Sequence, residues 1–124
     1  MTADQFRCIA LGMDGAIERA HMGHPDFRAN GRIFATLHTD LRHGMVKLTP
    51  DQQQQFLRAQ PGVFTLEAGA WGRAGCTRVR LDEVDEDTLG EAMTLAWWNS
   101  RQPSARAGRA KTRPTARSRS RRPR

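Results

Sequence analysis

The chain has 124 residues, the size of one ordinary domain, and a formal net charge of +7 from 20 Lys and Arg against 13 Asp and Glu. No apolar run approaches the ~20 residues needed to span a bilayer, and Cys8 and Cys76 form neither a CxxC pair nor a disulfide framework. A transmembrane helix and a disulfide-stapled scaffold are excluded. The start, Met1-Thr2-Ala3-Asp4-Gln5, has neither the basic end nor the apolar stretch of a signal peptide, which points to a cytoplasmic protein.

The charge is unevenly placed. Arg101, Arg106, Arg109, Lys111, Arg113, Arg117, Arg119, Arg121, Arg122 and Arg124 supply half of the basic side chains, and no carboxylate accompanies them. Residues 1–100 therefore carry 10 basic against 13 acidic groups, a balance of −3, and 101–124 carry +10. Beyond Ser100 no large apolar residue occurs, so this tail cannot bury enough surface to offset the entropy of ordering and is expected to be disordered. The division is a folded unit over 1–100 and a basic tail over 101–124.

In chain order, Thr2 and Gln5 have capping-box spacing, and Phe6, Ile9 and Met13 recur at helical intervals, predicting a helix over about 3–13. Short alternating segments follow at 16–21 and 26–29. Asn30-Gly31 is a two-residue hairpin signal leading into 32–38, and a polar turn precedes a strand at 45–48. Thr49-Pro50-Asp51-Gln52 announces a second helix, with Thr49 as cap and Pro50 at its first position, running to about 60 before Pro61-Gly62. Strands are predicted at 63–67 and 76–81 with a Gly-rich loop between them. A last helix spans Asp85 to Ser100, with Leu89, Met93, Ala96 and Trp97 on one stripe. This order predicts an α+β two-layer sandwich, an antiparallel sheet with the N-terminal, middle and C-terminal helices packed on one face.

Strand alternation sorts the side chains. Ile33, Ala35 and Leu37 are expected opposite Arg32, Phe34, Thr36 and His38, Val46 and Leu48 opposite Lys47, and Val79 and Leu81 opposite Arg78 and Arg80. If the aliphatic set meets the helices, a net-acidic domain presents a locally basic face of Arg32, Phe34, Lys47, Arg78 and Arg80. The competing reading is an ordinary solvated face.

Trp71-Gly72-Arg73-Ala74-Gly75 is the loop richest in possible chemistry. Trp71 is a candidate to stack on a base and Arg73 to reach a phosphate or a guanine edge. Alternatively, Trp71 fills the core and Arg73 braces a carboxylate. The four histidines lack an accompanying ligand set at metal-site spacing, so no metal or cofactor is expected. The run Asp82–Asp87 reads as the charged start of the last helix. Trp98 lies almost opposite Leu89 and Met93 and offers a face for a protein partner.

Several segments carry a resemblance: His21-x-Gly23-x-Pro25-x-Phe27, Gly31-Arg32-Ile33-Phe34-Ala35-Thr36-Leu37, Lys47-Leu48-Thr49-Pro50-x-Gln52-Gln53, Ala70-Trp71-Gly72-Arg73-x-Gly75 and Thr77-Arg78-Val79. In this order and spacing, from Phe6 through Trp97, the chain resembles the MmcQ/YjbR family. Cys76 stands where the family usually has Trp. The resemblance implies a YjbR/CyaY-like fold related to frataxin and secretion chaperones, and a DNA-binding role with a double-wing arrangement. It brings no catalytic residues and does not reach the tail.

The function expected is a non-catalytic DNA-binding accessory protein. Lys47, Arg73, Arg78, Arg80, Arg32 and Trp71 are the domain's candidates, and Arg106, Arg109, Lys111, Arg113, Arg117, Arg119, Arg121 and Arg122 add sequence-blind affinity. A chaperone-like interaction module and a drug-sequestering protein are the alternatives.

Overall fold

The computed structural model describes residues 1–21 and 23–102. The tail arginines from Arg106 onward, and the disorder expected of them, lie outside the described residues.

Helix α1 spans Ala3–Leu11, and its capping box is formed: the Thr2 hydroxyl accepts from the Gln5 amide at 3.1 Å while the Gln5 side chain accepts from the Thr2 amide at 2.8 Å. It ends at Leu11, two residues before the periodicity suggested, with Gly12 as its cap. Four antiparallel strands follow as a meander, β1 (Ile17–His21), β2 (His24–Ala29), β3 (Arg32–Leu37) and β4 (His43–Lys47). Asn30 and Gly31 turn β2 into β3 with φ of 56° and 77°, the paired left-handed values of a tight hairpin. Helix α2 (Pro50–Ala59) begins with the Thr49–Gln52 capping box and is followed by β5 (Phe64–Leu66). The Gly-rich segment expected to be a loop instead holds a short helix, α3 (Gly69–Arg73). Then come β6 (Cys76–Arg80) and α4 (Glu86–Ser100). The Asp85 carboxylate caps α4, accepting from the Thr88 amide at 2.7 Å, and that bond holds its pKa below the usual carboxylate value.

The six strands form one antiparallel sheet in the order β1-β2-β3-β4-β6-β5. Helices α1, α2 and α4 cover one face, giving the two layers expected from the element order. Phe6, Phe27, Phe34, Phe64, Leu37, Val46, Val79, Leu89 and Met93 fill the space between them, all essentially without solvent contact. Burying a side chain of this size contributes roughly 1.5–3 kcal/mol before entropy is counted. Phe6 and Phe27 meet with ring centroids 6.0 Å apart, and Phe56 and Phe64 at 5.0 Å.

Strict alternation fails along β3. Phe27 pairs with Ala35 and Arg28 with Ile33, so β3 has one residue more than β2 at that point, and the extra residue is Phe34. This β-bulge lets Phe34 and Ala35 both enter the core and reverses the faces of the residues before them. Ile33, expected with the core, lies on the uncovered face. Arg32, expected on the uncovered face, pairs with buried Ala29 and turns to the helix side, where its guanidinium donates to the Gln102 carbonyl. The basic face therefore excludes both Arg32 and Phe34.

Candidate functional site on the open face of the sheet

The register of six strands places Arg19, Asp26, Thr36, Met45, Arg78 and Thr65 in one row across the uncovered face. Arg28 beside Ile33, Lys47 beside Cys76, and His43 beside Arg80 flank that row. Five of the ten basic residues of 1–100 thus share a face, although the domain is net acidic. This clustering follows from period-two alternation and from the meander, which stacks distant strands side by side.

Most of these cations are already engaged. The Asp26 carboxylate, fully buried, accepts from Arg28 Nε at 2.8 Å and Nη2 at 3.1 Å. That fork-shaped contact raises the Arg28 pKa further above its ordinary value. Glu67, just after β5, holds two partners at once. Its Oε1 accepts from Arg78 Nε and Nη2 at 3.2 and 3.0 Å, and its Oε2 lies 2.6 Å from His38 Nε2. Arg80 faces Asp82 at 3.5 Å and Glu83 at 3.9 Å. By contrast, Arg19, Lys47 and Arg73 make no ion pair among the described residues.

Glu67, Ala68 and Trp71 border one side of a half-open cavity of 510 Å³ on this face. Ile33 and Met45 give it an aliphatic surface, Lys47, His38, Glu67 and Asp26 give it polar groups, and Trp71 borders it. Trp71 is 69% exposed, so it does not fill the core, and Arg73 braces no described carboxylate. Cys76 also borders the cavity, but burial pushes its thiol pKa up against the opposing pull of Lys47, which leaves it a poor nucleophile at neutral pH. Cys8 is exposed on α1, far along the chain from this chemistry.

The glycines of the Trp-Gly-Arg segment serve the protein's own backbone. A Cβ on Gly72 would stand 1.9 Å from the Glu67 carbonyl oxygen, and one on Gly75 would stand 1.9 Å from that of Leu48. Gly75 also has φ +117°. The segment is pinned from below by Gln53, which stands in the Lys47–Gln53 motif but was not among the candidate site residues. Buried on α2, Gln53 Nε2 lies 3.0 Å from the Gly72 carbonyl oxygen, 3.1 Å from that of Cys76 and 3.1 Å from Thr77 Oγ1. Its position three and four residues before Phe56 and Leu57, on the inner helical stripe, was the available signal.

The remaining candidates lie elsewhere. Trp98 is 48% exposed on α4, and the Arg101 guanidinium sits over it, 5.2 Å from the ring centroid, and 5.3 Å from that of Trp97. His43 pairs with Asp40 at 2.8 Å in the β3–β4 turn. Among the described residues no three His, Cys, Asp or Glu side chains are grouped to hold a metal ion, and no helix is long and apolar enough to cross a membrane.

A six-stranded antiparallel sheet, covered on one face by three helices and crossed at the other by a glycine-pinned short helix, defines a two-layer α+β class of domain. Within that class, the YjbR family model matches residues 11–99, and the chain belongs to the YjbR family. The fold is similar to the crystal structure of Deinococcus radiodurans protein DR2400, which carries the domain DUF419. That likeness has a TM-score of 0.70 at 18% identity and covers 88% of this chain and 86% of the other. No curated protein matches the chain.

Proposed function

We propose that this YjbR-family protein is a non-catalytic, cytoplasmic nucleic-acid-binding accessory protein that meets DNA with the open face of its sheet, with the basic tail adding sequence-blind affinity. The observation that supports this reading is the separation of charge between the two layers. Arg19, Arg28, Lys47, Arg78 and Arg80 share the open face, while the exposed acids Asp4, Asp51, Glu86 and Asp87 stand in the first turns of the covering helices. A phosphate backbone approaching the sheet meets an excess of cations over Asp26 and Glu67, and one approaching the helices meets the acids of their first turns. Lys47 and Arg73, without ion partners among the described residues, make the domain's strongest phosphate contacts, and exposed Trp71 supplies a stacking surface. Arg78 and Arg80 contribute less, since carboxylates already face them. Arg32, on the opposite face, contributes nothing.

The test is fluorescence anisotropy of a labelled duplex titrated with the full chain and with a chain ending at Gln102, each at two salt concentrations. The full chain should bind with log K falling by about 0.9 per phosphate neutralised per decade of salt. The shortened chain should bind more weakly and with a shallower salt slope. Absence of binding by both at low salt overturns the proposal.

A further inference from the structure

The cavity beneath Trp71 has a chemistry of its own. Its two carboxylates are neutralised from within the chain: both oxygens of Asp26 are taken by Arg28, and Glu67 is shared between Arg78 and His38. After those pairs are closed, Lys47, half-buried beside Cys76, is the lysine or arginine lining the cavity that has no ion pair among the described residues, and His24 also lines it. Around it stand the aliphatic side chains of Ile33 and Met45 and the exposed indole of Trp71. The volume, 510 Å³, lies within the range of small-molecule sites, roughly 300–1,000 Å³.

We propose that this cavity binds a small planar monoanion, an aromatic or heteroaromatic carboxylate, with the carboxylate on Lys47 and the ring between Trp71 and the Ile33–Met45 surface. Among the described residues, the one lysine or arginine of the lining without an ion pair matches one negative charge. A second negative charge would meet Asp26 and Glu67 without a free cation to offset them, which selects a carboxylate over a phosphate monoester. The flat indole and the aliphatic wall select a ring over a flexible chain. This site does not rest on the nucleic-acid reading, since a free ligand of this kind is bound without DNA.

The experiment titrates the isotopically labelled full chain with benzoate, 1-naphthoate and indole-3-carboxylate, following amide and indole N–H resonances and reading affinity by calorimetry. Neutral 1-naphthylmethanol and the dianion dAMP serve as controls. At least one carboxylate should bind at Kd of ~1 mM or tighter, shifting the Trp71 indole N–H and the amides of Lys47 and Met45. Lys47→Met, which keeps the aliphatic stem, should weaken it about tenfold, as should replacement of the acid by the alcohol. Trp71→Leu should weaken all the rings together. An unchanged melting temperature certifies that both variants remain folded. No shift at these residues with any of the three acids overturns the proposal. So does affinity unaffected by Lys47→Met, or dAMP binding more tightly than every carboxylate. Loss of DNA binding with carboxylate binding intact would overturn only the function proposed above, and the converse only this site.

Discussion

Gly72 lies so close to Glu67 that a single methyl group on its Cα would stand 1.9 Å from the Glu67 carbonyl oxygen. The contact fixes α3 against the residue that holds His38 and Arg78, so the shape of the cavity depends on a missing side chain. Gly72→Ala should destabilise the fold by about 1–3 kcal/mol, the usual cost of overpacking, and should shift the His38 ring resonances through Glu67. Chemical denaturation and an NMR spectrum check both. A variant of wild-type stability with unmoved His38 signals would contradict the contact.

Gln53 holds the same segment from the opposite side. Replacing it with Leu keeps the volume and removes the donors that reach Gly72, Cys76 and Thr77. The loss should be about 1–3 kcal/mol in urea, because Thr77 Oγ1 and the two carbonyls stay buried. Gln52→Leu, one residue earlier, should cost less. Its side-chain oxygen accepts from the Thr49 amide at the exposed start of α2 and from half-buried Asn99, where water reaches more readily than it does Gln53.

The bulge at Phe34 makes a sharp distinction. An uninterrupted strand would point Phe34 away from the helices, and Phe34→Ala would then be nearly neutral. With Phe34 in the core, the substitution should cost about 3–5 kcal/mol, as deletion of a buried aromatic ring usually does. Equilibrium unfolding decides between them.

The same bulge separates two arginines that alternation would treat alike. In DNA titrations of the full chain, Lys47→Ala should weaken binding and reduce the salt slope by about one phosphate, whereas Arg32→Ala should leave both unchanged. Equal losses from the two would contradict the open face as the contact surface.

Asp40 closes the β3–β4 turn. One carboxylate oxygen accepts from the Arg42 amide at 2.8 Å and the His43 amide at 3.2 Å, and the other meets His43 Nδ1 at 2.8 Å. These bonds, the Arg42 amide foremost, lower its pKa from 3.8 to about 2. A depressed folded-state pKa means stability that is present above pH 3.8 and is lost as pH falls through about 2. Because the carboxylate is half exposed, solvent screening keeps the effect small. Asp40→Asn should therefore flatten the acid limb of the stability profile between those values, measured by urea unfolding from pH 5 to pH 2, and leave the other carboxylates' limbs in place.

Much of the architecture was legible in local chemistry. Thr2-x-x-Gln5 and Thr49-x-x-Gln52 name their own helix starts, since the cap satisfies amides that no other residue can reach. Asn30-Gly31 names its turn through the φ values it adopts. The helix α3 was not legible: five residues without a side-chain cap have little helical tendency, and their contacts with Glu67 and Gln53 supply what propensity does not. Nor was the bulge. One extra residue leaves no mark in a hydrophobic pattern as short as Arg32–Leu37, where Ile33, Phe34 and Ala35 all suit either face.

The sequence by itself determined the uneven placement of charge, net acidic over 1–100 and basic over 101–124, the order of the principal helices and strands, the antiparallel two-layer class and the resemblance to the YjbR family. These rest on composition, on spacing and on caps formed by residues three apart. Only the tertiary structure decided which cations are free. Arg28, Arg78, Arg80 and Lys47 look equivalent as letters, but Arg28 pairs with Asp26 on its own strand, Arg80 with Asp82 and Glu83 just after it, Arg78 with Glu67 from the segment folded across the sheet, and Lys47 with no described carboxylate. Packing of the folded chain exposes Trp71, turns Arg32 away and leaves Lys47 in the cavity without an ion pair among the described residues. Charge can be counted along a chain, but its neutralisation depends on distances of a few ångströms that the folded backbone sets.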